Sequence, residues 1–191
     1  MERTVFLDRD GTIIEDVGYL GECSKIRFLP RVSEAIKLLN ENGFKVIVTT
    51  NQSGVARGYF TEETVREINT YIQESLAKQG AIIDKTYYCP HHIDGIIKEY
   101  SKECYCRKPN PGMIKEAAAE FDIDLEGSFV IGDKITDVEA GYRAGCHTVL
   151  LTNKGCPDEG EIALIPHHIA TDLYEAVSWL AKFSHQKGER S

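Results

Sequence analysis

The chain has 191 residues, a hydrophobic content of 42%, a charged content of 27% and a formal net charge of -8. That length suits one domain, long enough to bury roughly 70% of its unfolded surface without disulfide staples. The acidic balance argues against a nucleic-acid partner, which needs clustered Lys and Arg, but not against a small phosphorylated molecule. No apolar run approaches a membrane span. An apolar strand begins by about residue 4, leaving no room for a signal peptide. The expected compartment is the cytosol, where disulfides are rare and clustered cysteines more often hold metal. The sequon Asn51-Gln52-Ser53 is read as accidental for the same reason.

Apolar strands and amphipathic helices alternate along the chain, the pattern of an α/β fold with a parallel sheet covered on both faces. The first strand breaks at once into Asp8-Arg9-Asp10-Gly11-Thr12. Two carboxylates at the end of a buried strand are costly unless a cation or a reaction uses them. A calcium loop is excluded. It needs Gly at its sixth position and Glu at its twelfth, and counting from Asp8 those positions hold Ile13 and Tyr19. A solvated acidic turn is the plain alternative.

Residues 13–29 read as an irregular connection. A helix is predicted from about Pro30, with Val32, Ala35, Ile36 and Leu39 on one face and Gly43 as its stop. The second strand, 44–49, ends in the polar run Thr50-Asn51-Gln52-Ser53-Gly54. Thr61 caps a long helix with Glu62 and Glu63 in its first turn, a buried stripe of Val65, Ile68, Ile72 and Leu76, and Gly80 at its end. The third strand, 82–88, leads into an unusual segment, 89–107. Asn110 and Pro111 open a helix that turns Ile114, Ala117, Ala118 and Phe121 inward. The fourth strand, 129–131, ends in Gly132-Asp133; a short helix over 136–144 and a strand over 147–151 follow. Asp172 caps the last helix, which buries Leu173, Ala176, Val177 and Leu180, and a polar tail from about 184 is expected to fray. The whole of 1–191 reads as a single domain.

The same chemistry closes three strands: Asp8 and Asp10, then Thr50 and Asn51, then Asp133. Parallel strands bring such ends to one edge of the sheet. Lys108 and Lys134 lie in loops that reach that edge. Acids, a hydroxyl and a lysine gathered in this way suit Mg²⁺ and a phosphoryl group. Singly, each residue could be a cap or a loop polar group; the recurrence is what points to a site.

Cys89-Pro90-His91 and, twelve residues on, Cys104-Tyr105-Cys106 offer three thiolates and an imidazole. That is a closed set of the kind used for structural Zn²⁺. His92 competes with His91, and the plain alternative is reduced side chains in a polar loop. Cys23, Cys146 and Cys156 lack partners at metal-like spacing. The loop ends two residues before Lys108, so closure around a metal would fix Lys108 and Arg107. Without it, a segment with Gly95 and few large apolar groups would be mobile.

On these residues the chain resembles phosphatases of the haloacid dehalogenase superfamily. Asp8-x-Asp10-Gly11-Thr12 is similar to its first motif, Thr50-Asn51-Gln52 to its second, Lys108 to its third and Gly132-Asp133-(x)3-Asp137 to its fourth, in order across about 4–151. The run Cys106-Arg107-Lys108-Pro109 and the zinc loop narrow the resemblance to the histidinol-phosphate and heptose-bisphosphate phosphatases. It implies a three-layer Rossmann-like sheet without a full cap domain. It also implies an aspartyl phosphate on Asp8, proton transfer by Asp10, and Mg²⁺ on Asp8, Asp133 and the Asp10 carbonyl. Lys108, with the Thr50 hydroxyl and the Asn51 amide, would face the phosphoryl oxygens. Asp137 would orient Lys134 or a metal-bound water.

With no cap, specificity falls to rim residues: Asp16, Tyr19, Ser53, Arg57, Arg107 and Lys134; Asn51 and Gln52 of the second motif are also expected to bind substrate. Arg57 and Arg107 suit a second anionic group. The runs Asn51-Gln52-Ser53-Gly54-Val55-Ala56-Arg57-Gly58 and Lys108-Pro109-Asn110-Pro111-Gly112-Met113 look more like the heptose-bisphosphate enzymes. That implies removal of the 7-phosphate from a heptose 1,7-bisphosphate in making surface polysaccharide, with histidinol phosphate as the alternative. A receiver-like signalling module is the reading from another class. It would need its phosphorylated Asp at the end of the third strand, where Tyr88-Cys89 stands. The sequence carries no dimer signal, and a monomer is the default.

Overall fold

Val5, Phe6 and Leu7 are all fully buried, so strand β1 (Thr4–Leu7) must be covered on both faces. In the computed structural model, which describes residues 1–152 and 164–188, it lies at the centre of a sheet. Its neighbours are β2 (Lys45–Asn51) and β4 (Phe129–Gly132). Beyond them lie β3 (Lys85–Cys89) on one side and β5 (His147–Leu151) then β6 (His168–Ala170) on the other. Every pairing among these described strands is parallel.

The period-two alternation divides the core. Val5, Leu7, Val46, Val48, Phe129 and Ile131 face one layer, built from α1 (Val32–Glu41), α2 (Glu62–Ala77) and α5 (Leu173–Gly188). Phe6, Ile47 and Val130 face the other, built from α3 (Gly112–Phe121) and α4 (Ile135–Ala144). Leu7 pairs with Val48 on one side and Ile131 on the other. The residues that follow them therefore leave the sheet at one level. This is the three-layer arrangement expected from the pattern, and 13–29 adds only the short 3-10 turn Cys23–Lys25.

Several elements differ from the sequence expectation. Strand β2 runs through Thr50 and Asn51, which pair with Tyr88 and Cys89. Strand β3 starts at Lys85 instead of 82. Asp84 just before it is tied to Val46, donating its amide to the Val46 carbonyl at 2.8 Å and accepting the Val46 amide on its carboxylate at 2.8 Å. Strand β6 was not expected; three residues, His168-Ile169-Ala170, are too short to show a period. Helix α5 continues to Gly188 through residues expected to fray, because polar composition alone does not stop a helix. Cys156 and the last three residues of the expected tail lie outside the described residues. None of the described helices is long and apolar enough to cross a membrane.

Candidate active site

Lys108 is the hub. It lies in the connection between β3 and α3, is 4% exposed, and sends its ammonium beneath the strand ends. Its Nζ stands 2.6 Å from Asp8 Oδ1 and 2.6 Å from Asp137 Oδ1, and donates to the Thr49 carbonyl at 2.6 Å. Burial works against the charge, yet Asp137 and Asp8 together hold Lys108 above the ordinary lysine value. Asn51 fixes the backbone of the same residue. Its Oδ1 accepts the Lys108 amide at 3.1 Å and its Nδ2 donates to the Lys108 carbonyl at 3.0 Å.

Asp8, Asp133 and Asp137 each bring a carboxylate oxygen within 4.8 Å of the others. Burial, then the charge of Asp8, pushes Asp133 up to about 7. Its Oδ1 is buried without a hydrogen-bond partner. A buried, unpaired carboxylate oxygen beside a second acid is the donor set of a hard divalent cation. The residues present therefore fit Mg²⁺. Gly11 makes room for this approach: its φ is +92°, and a Cβ there would collide with the Asp133 carboxylate.

Asp137 does something the sequence did not reveal. Its Oδ2 accepts the Lys134 backbone amide at 3.1 Å, capping α4, while its Oδ1 pairs with Lys108. Expected to orient Lys134 or a metal-bound water, Asp137 holds Lys134 by its backbone amide, while the Lys134 ammonium pairs with Asp16 at 2.8 Å. Burial pushes Asp137 up to about 6 while Lys108 pulls against it.

Asp10 lies beside this group and is held from two sides. Gln52 Nε2 donates to its Oδ2 at 2.9 Å, the Thr50 hydroxyl does so at 3.4 Å, and Arg9 contacts both of its oxygens. Gln52, expected to bind substrate, serves Asp10 and also donates to Thr50 Oγ1 at 2.8 Å. The side-chain amide of Asn51, expected to face the phosphoryl oxygens, spends its oxygen and one of its two N–H donors on the Lys108 backbone.

Cys89, His91, Cys104 and Cys106 form a second cluster where β3 ends. The Sγ atoms stand 3.1 to 3.4 Å apart, unbonded, and His91 Nδ1 lies 3.4 Å from Cys106 Sγ and 3.7 Å from Cys89 Sγ. Four soft donors around one point fit tetrahedral Zn²⁺. Hydrogen bonding, first from Cys89, holds the Cys106 thiol below the ordinary cysteine value. His92 turns away. Its ring faces Arg57 Nη2 at 3.4 Å and Asp94 at 3.6 Å. Gly112 completes the join, since a Cβ there would collide with the Tyr105 carbonyl of the loop that crosses the start of α3.

The loop is not held by these four residues alone. Ile96 and Ile97 donate their amides to the Ala56 carbonyl at 2.8 and 3.0 Å. Tyr100 donates to Glu62 on α2 at 2.9 Å, and Tyr88 shares that carboxylate at 2.9 Å. Arg107 Nη1 donates to the His91 carbonyl at 3.2 Å, and Arg57 reaches Asp94 at 3.9 Å. Both arginines are thus oriented by this loop. Across the rim, Tyr19 and Tyr59 meet edge to face at 4.5 Å. Phe60 packs over Gly21 and fills the place a side chain on Gly54 would need. The Ser53 carbonyl accepts the Arg57 amide at 3.0 Å within the same turn. A cleft of about 640 Å³ runs along the outer side of the loop, lined by His92, Tyr105, Arg107 and Lys108 among others.

Comparison with known proteins meets this geometry. A family model described as HAD-hydrolase-like matches residues 105–176. A Yersinia pestis protein named D-glycero-beta-D-manno-heptose-1,7-bisphosphate 7-phosphatase is 45% identical over 161 residues, covering 83% of this chain and 86% of its own. A Photorhabdus laumondii protein named for the alpha anomer of that substrate is 37% identical over 171 residues, covering 88% and 93%. The crystal structure of D,D-heptose 1,7-bisphosphate phosphatase from B. bronchiseptica, complexed with magnesium and phosphate, superposes with a TM-score of 0.80. It is 30% identical and covers 95% of this chain and 99% of that one. The fold and strand-end acids define a hydrolase of the haloacid dehalogenase class. Within that class, the chain belongs to the heptose-bisphosphate phosphatase family.

Proposed function

We propose that this protein removes the 7-phosphate from D-glycero-D-manno-heptose 1,7-bisphosphate through a covalent phosphoryl group on Asp8. The observation that carries the chemistry is Lys108 locked between Asp8 and Asp137, with the unpartnered Asp133 oxygen beside them. The substrate is supported by what the relatives are named for.

The positions of the side chains support the following steps. The Asp8 carboxylate attacks phosphorus in line, the bond from phosphorus to the sugar oxygen breaks, and Asp10 gives its proton to the departing oxygen. Asp10 then takes a proton from the water that opens the acyl phosphate, which frees inorganic phosphate and restores Asp8. Lys108, already charged and fixed through Asn51 and Asp137, stabilises the phosphoryl oxygens as charge shifts onto them. Thr50 and Gln52 keep Asp10 in place. Asp8, Asp133 and the Asp10 carbonyl would hold Mg²⁺, which when bound offsets the repulsion between carboxylate and phosphoryl oxygens.

Cys89, His91, Cys104 and Cys106 would hold Zn²⁺ as a closed, structural set. Arg107 and Arg57 at the rim are the groups for the remaining 1-phosphate, and Lys134 with Asp16 bounds the opposite side. The protein would act in the cytosol, as a monomer, on a free sugar phosphate in the supply of heptose for surface polysaccharide.

The test is phosphate release, with Mg²⁺ present, from both anomers of the heptose bisphosphate and from histidinol phosphate. The heptose substrate should give a kcat/KM at least about tenfold higher. A preference for histidinol phosphate overturns the substrate. Acid quenching in turnover that leaves no phosphoryl group on Asp8 overturns the mechanism.

A further inference from the structure

The largest of the fully buried side chains is not apolar. It is Arg9, 1% exposed, standing between the two acids of the first motif. A Leu or Met would fill that volume without the cost of desolvating a guanidinium, a cost returned only by good geometry at the partners. Arg9 has such geometry at both ends. Its Nη1 donates to Asn69 Oδ1 at 2.8 Å, and Asn69 is the buried polar residue on the otherwise apolar inward stripe of α2. Its other two nitrogens face Asp10: Nε donates to Oδ2 at 3.2 Å and Nη2 to Oδ1 at 3.2 Å. The guanidinium is planar, so anchoring one edge on a helix fixes the plane in which the other edge holds the carboxylate.

The two oxygens of Asp10 are not equivalent in this setting. Oδ2 is approached by Arg9 Nε, by Arg9 Nη2 at 3.1 Å, by Gln52 at 2.9 Å and by the Thr50 hydroxyl at 3.4 Å. Oδ1 receives Arg9 Nη2. A carboxylate oxygen has about two lone-pair sites. Oδ2 is therefore filled by donors, and Oδ1 keeps room for a proton. We infer that Arg9, braced by Asn69, is a positioning residue that anchors Asp10 through Oδ2. It thereby assigns Oδ1 as the oxygen that gives the proton to the departing group and takes it back from water. This rests on the role of Asp10 proposed above.

The test exploits what a proton donor is needed for. A sugar alkoxide leaves poorly without a proton, whereas the phenolate of p-nitrophenyl phosphate leaves without one. Because kcat/KM reports only the steps through transfer to Asp8, loss of Asp10 geometry must fall on the first substrate and spare the second. Arg9→Met should lower kcat/KM for the heptose bisphosphate on the order of 10- to 100-fold, and for p-nitrophenyl phosphate less than about threefold. Asn69→Leu, which cuts the brace and leaves Arg9 in place, should show the same selectivity at a smaller size. It also carries the test should Arg9→Met fail to fold. Equal losses on both substrates, or no loss in Asn69→Leu, overturn the proposal. Asp10→Asn separates the two readings: if that variant loses both substrates equally, it is the acid role of Asp10 that fails, whatever Arg9 does.

Discussion

Among the described residues stand two clusters of metal-type donors, and they are built on opposite plans. Asp8, Asp133 and Asp137 come from two strand ends and a helix start, and none is next to another in sequence. Asp8 and Asp137 already share a protein cation, Lys108, and one oxygen of Asp133 still lacks a partner. Cys89, His91, Cys104 and Cys106 come from the end of β3 and the loop that follows it, and they converge as a set of four soft donors. The first arrangement keeps charge and a free donor at a place where a ligand must come and go. On the reading proposed above, the second would spend all its donors on holding a shape. Chemistry and scaffolding would then be divided between hard oxygen and soft sulfur.

That contrast can be broken at several points. The largest effect belongs to Asp8. Asp8→Asn should fold with unchanged near-UV dichroism and lose activity by more than about 10³-fold in a phosphate-release assay. Measurable turnover at the wild-type rate would remove Asp8 from the reaction. Next, full chelation followed by Mg²⁺ alone should leave activity about tenfold or more below the starting value, with Zn²⁺ content measured in parallel. Complete recovery in demonstrably zinc-free protein would strip the sulfur cluster of its role. Asp137→Asn should sharpen the oxygen side. It keeps the cap on α4 in shape but weakens the hold on Lys108, so kcat should fall about tenfold with a smaller change in KM. A KM effect alone would make Asp137 a binding group. The smallest effect should be Glu62→Ala, which releases Tyr88 and Tyr100. It should cost about 1 kcal/mol in urea unfolding and leave kcat nearly untouched.

Much of this is legible in the sequence. Strand-terminal acids announce themselves because apolar runs rarely end in paired carboxylates, and the Cys-x-His and Cys-x-Cys pairs carry their ligand spacing in plain view. What was hidden is the direction in which side chains point. Asn51 looked like a phosphoryl contact, yet its amide is matched to a backbone 57 residues away. Asp137 looked like a neighbour of Lys134, but the turn at the start of α4 sends its carboxylate back under the sheet to Lys108. The choice between two adjacent histidines turned on Arg57, which engages the ring of His92 and not His91. Arg9 sat among acids in a loop, where a solvated charge is the ordinary expectation; only packing against α2 reveals that it is interior.

The edge-to-face meeting of Tyr19 and Tyr59, with Phe60 wedged over two glycines and the Ile96 and Ile97 amides latched to Ala56, ties three segments distant in sequence into one collar. Such a collar can change only as a unit. Point substitutions there would tend to loosen their neighbours before they taught the enzyme a new sugar, so a shift in diet would demand concerted replacement along all three segments.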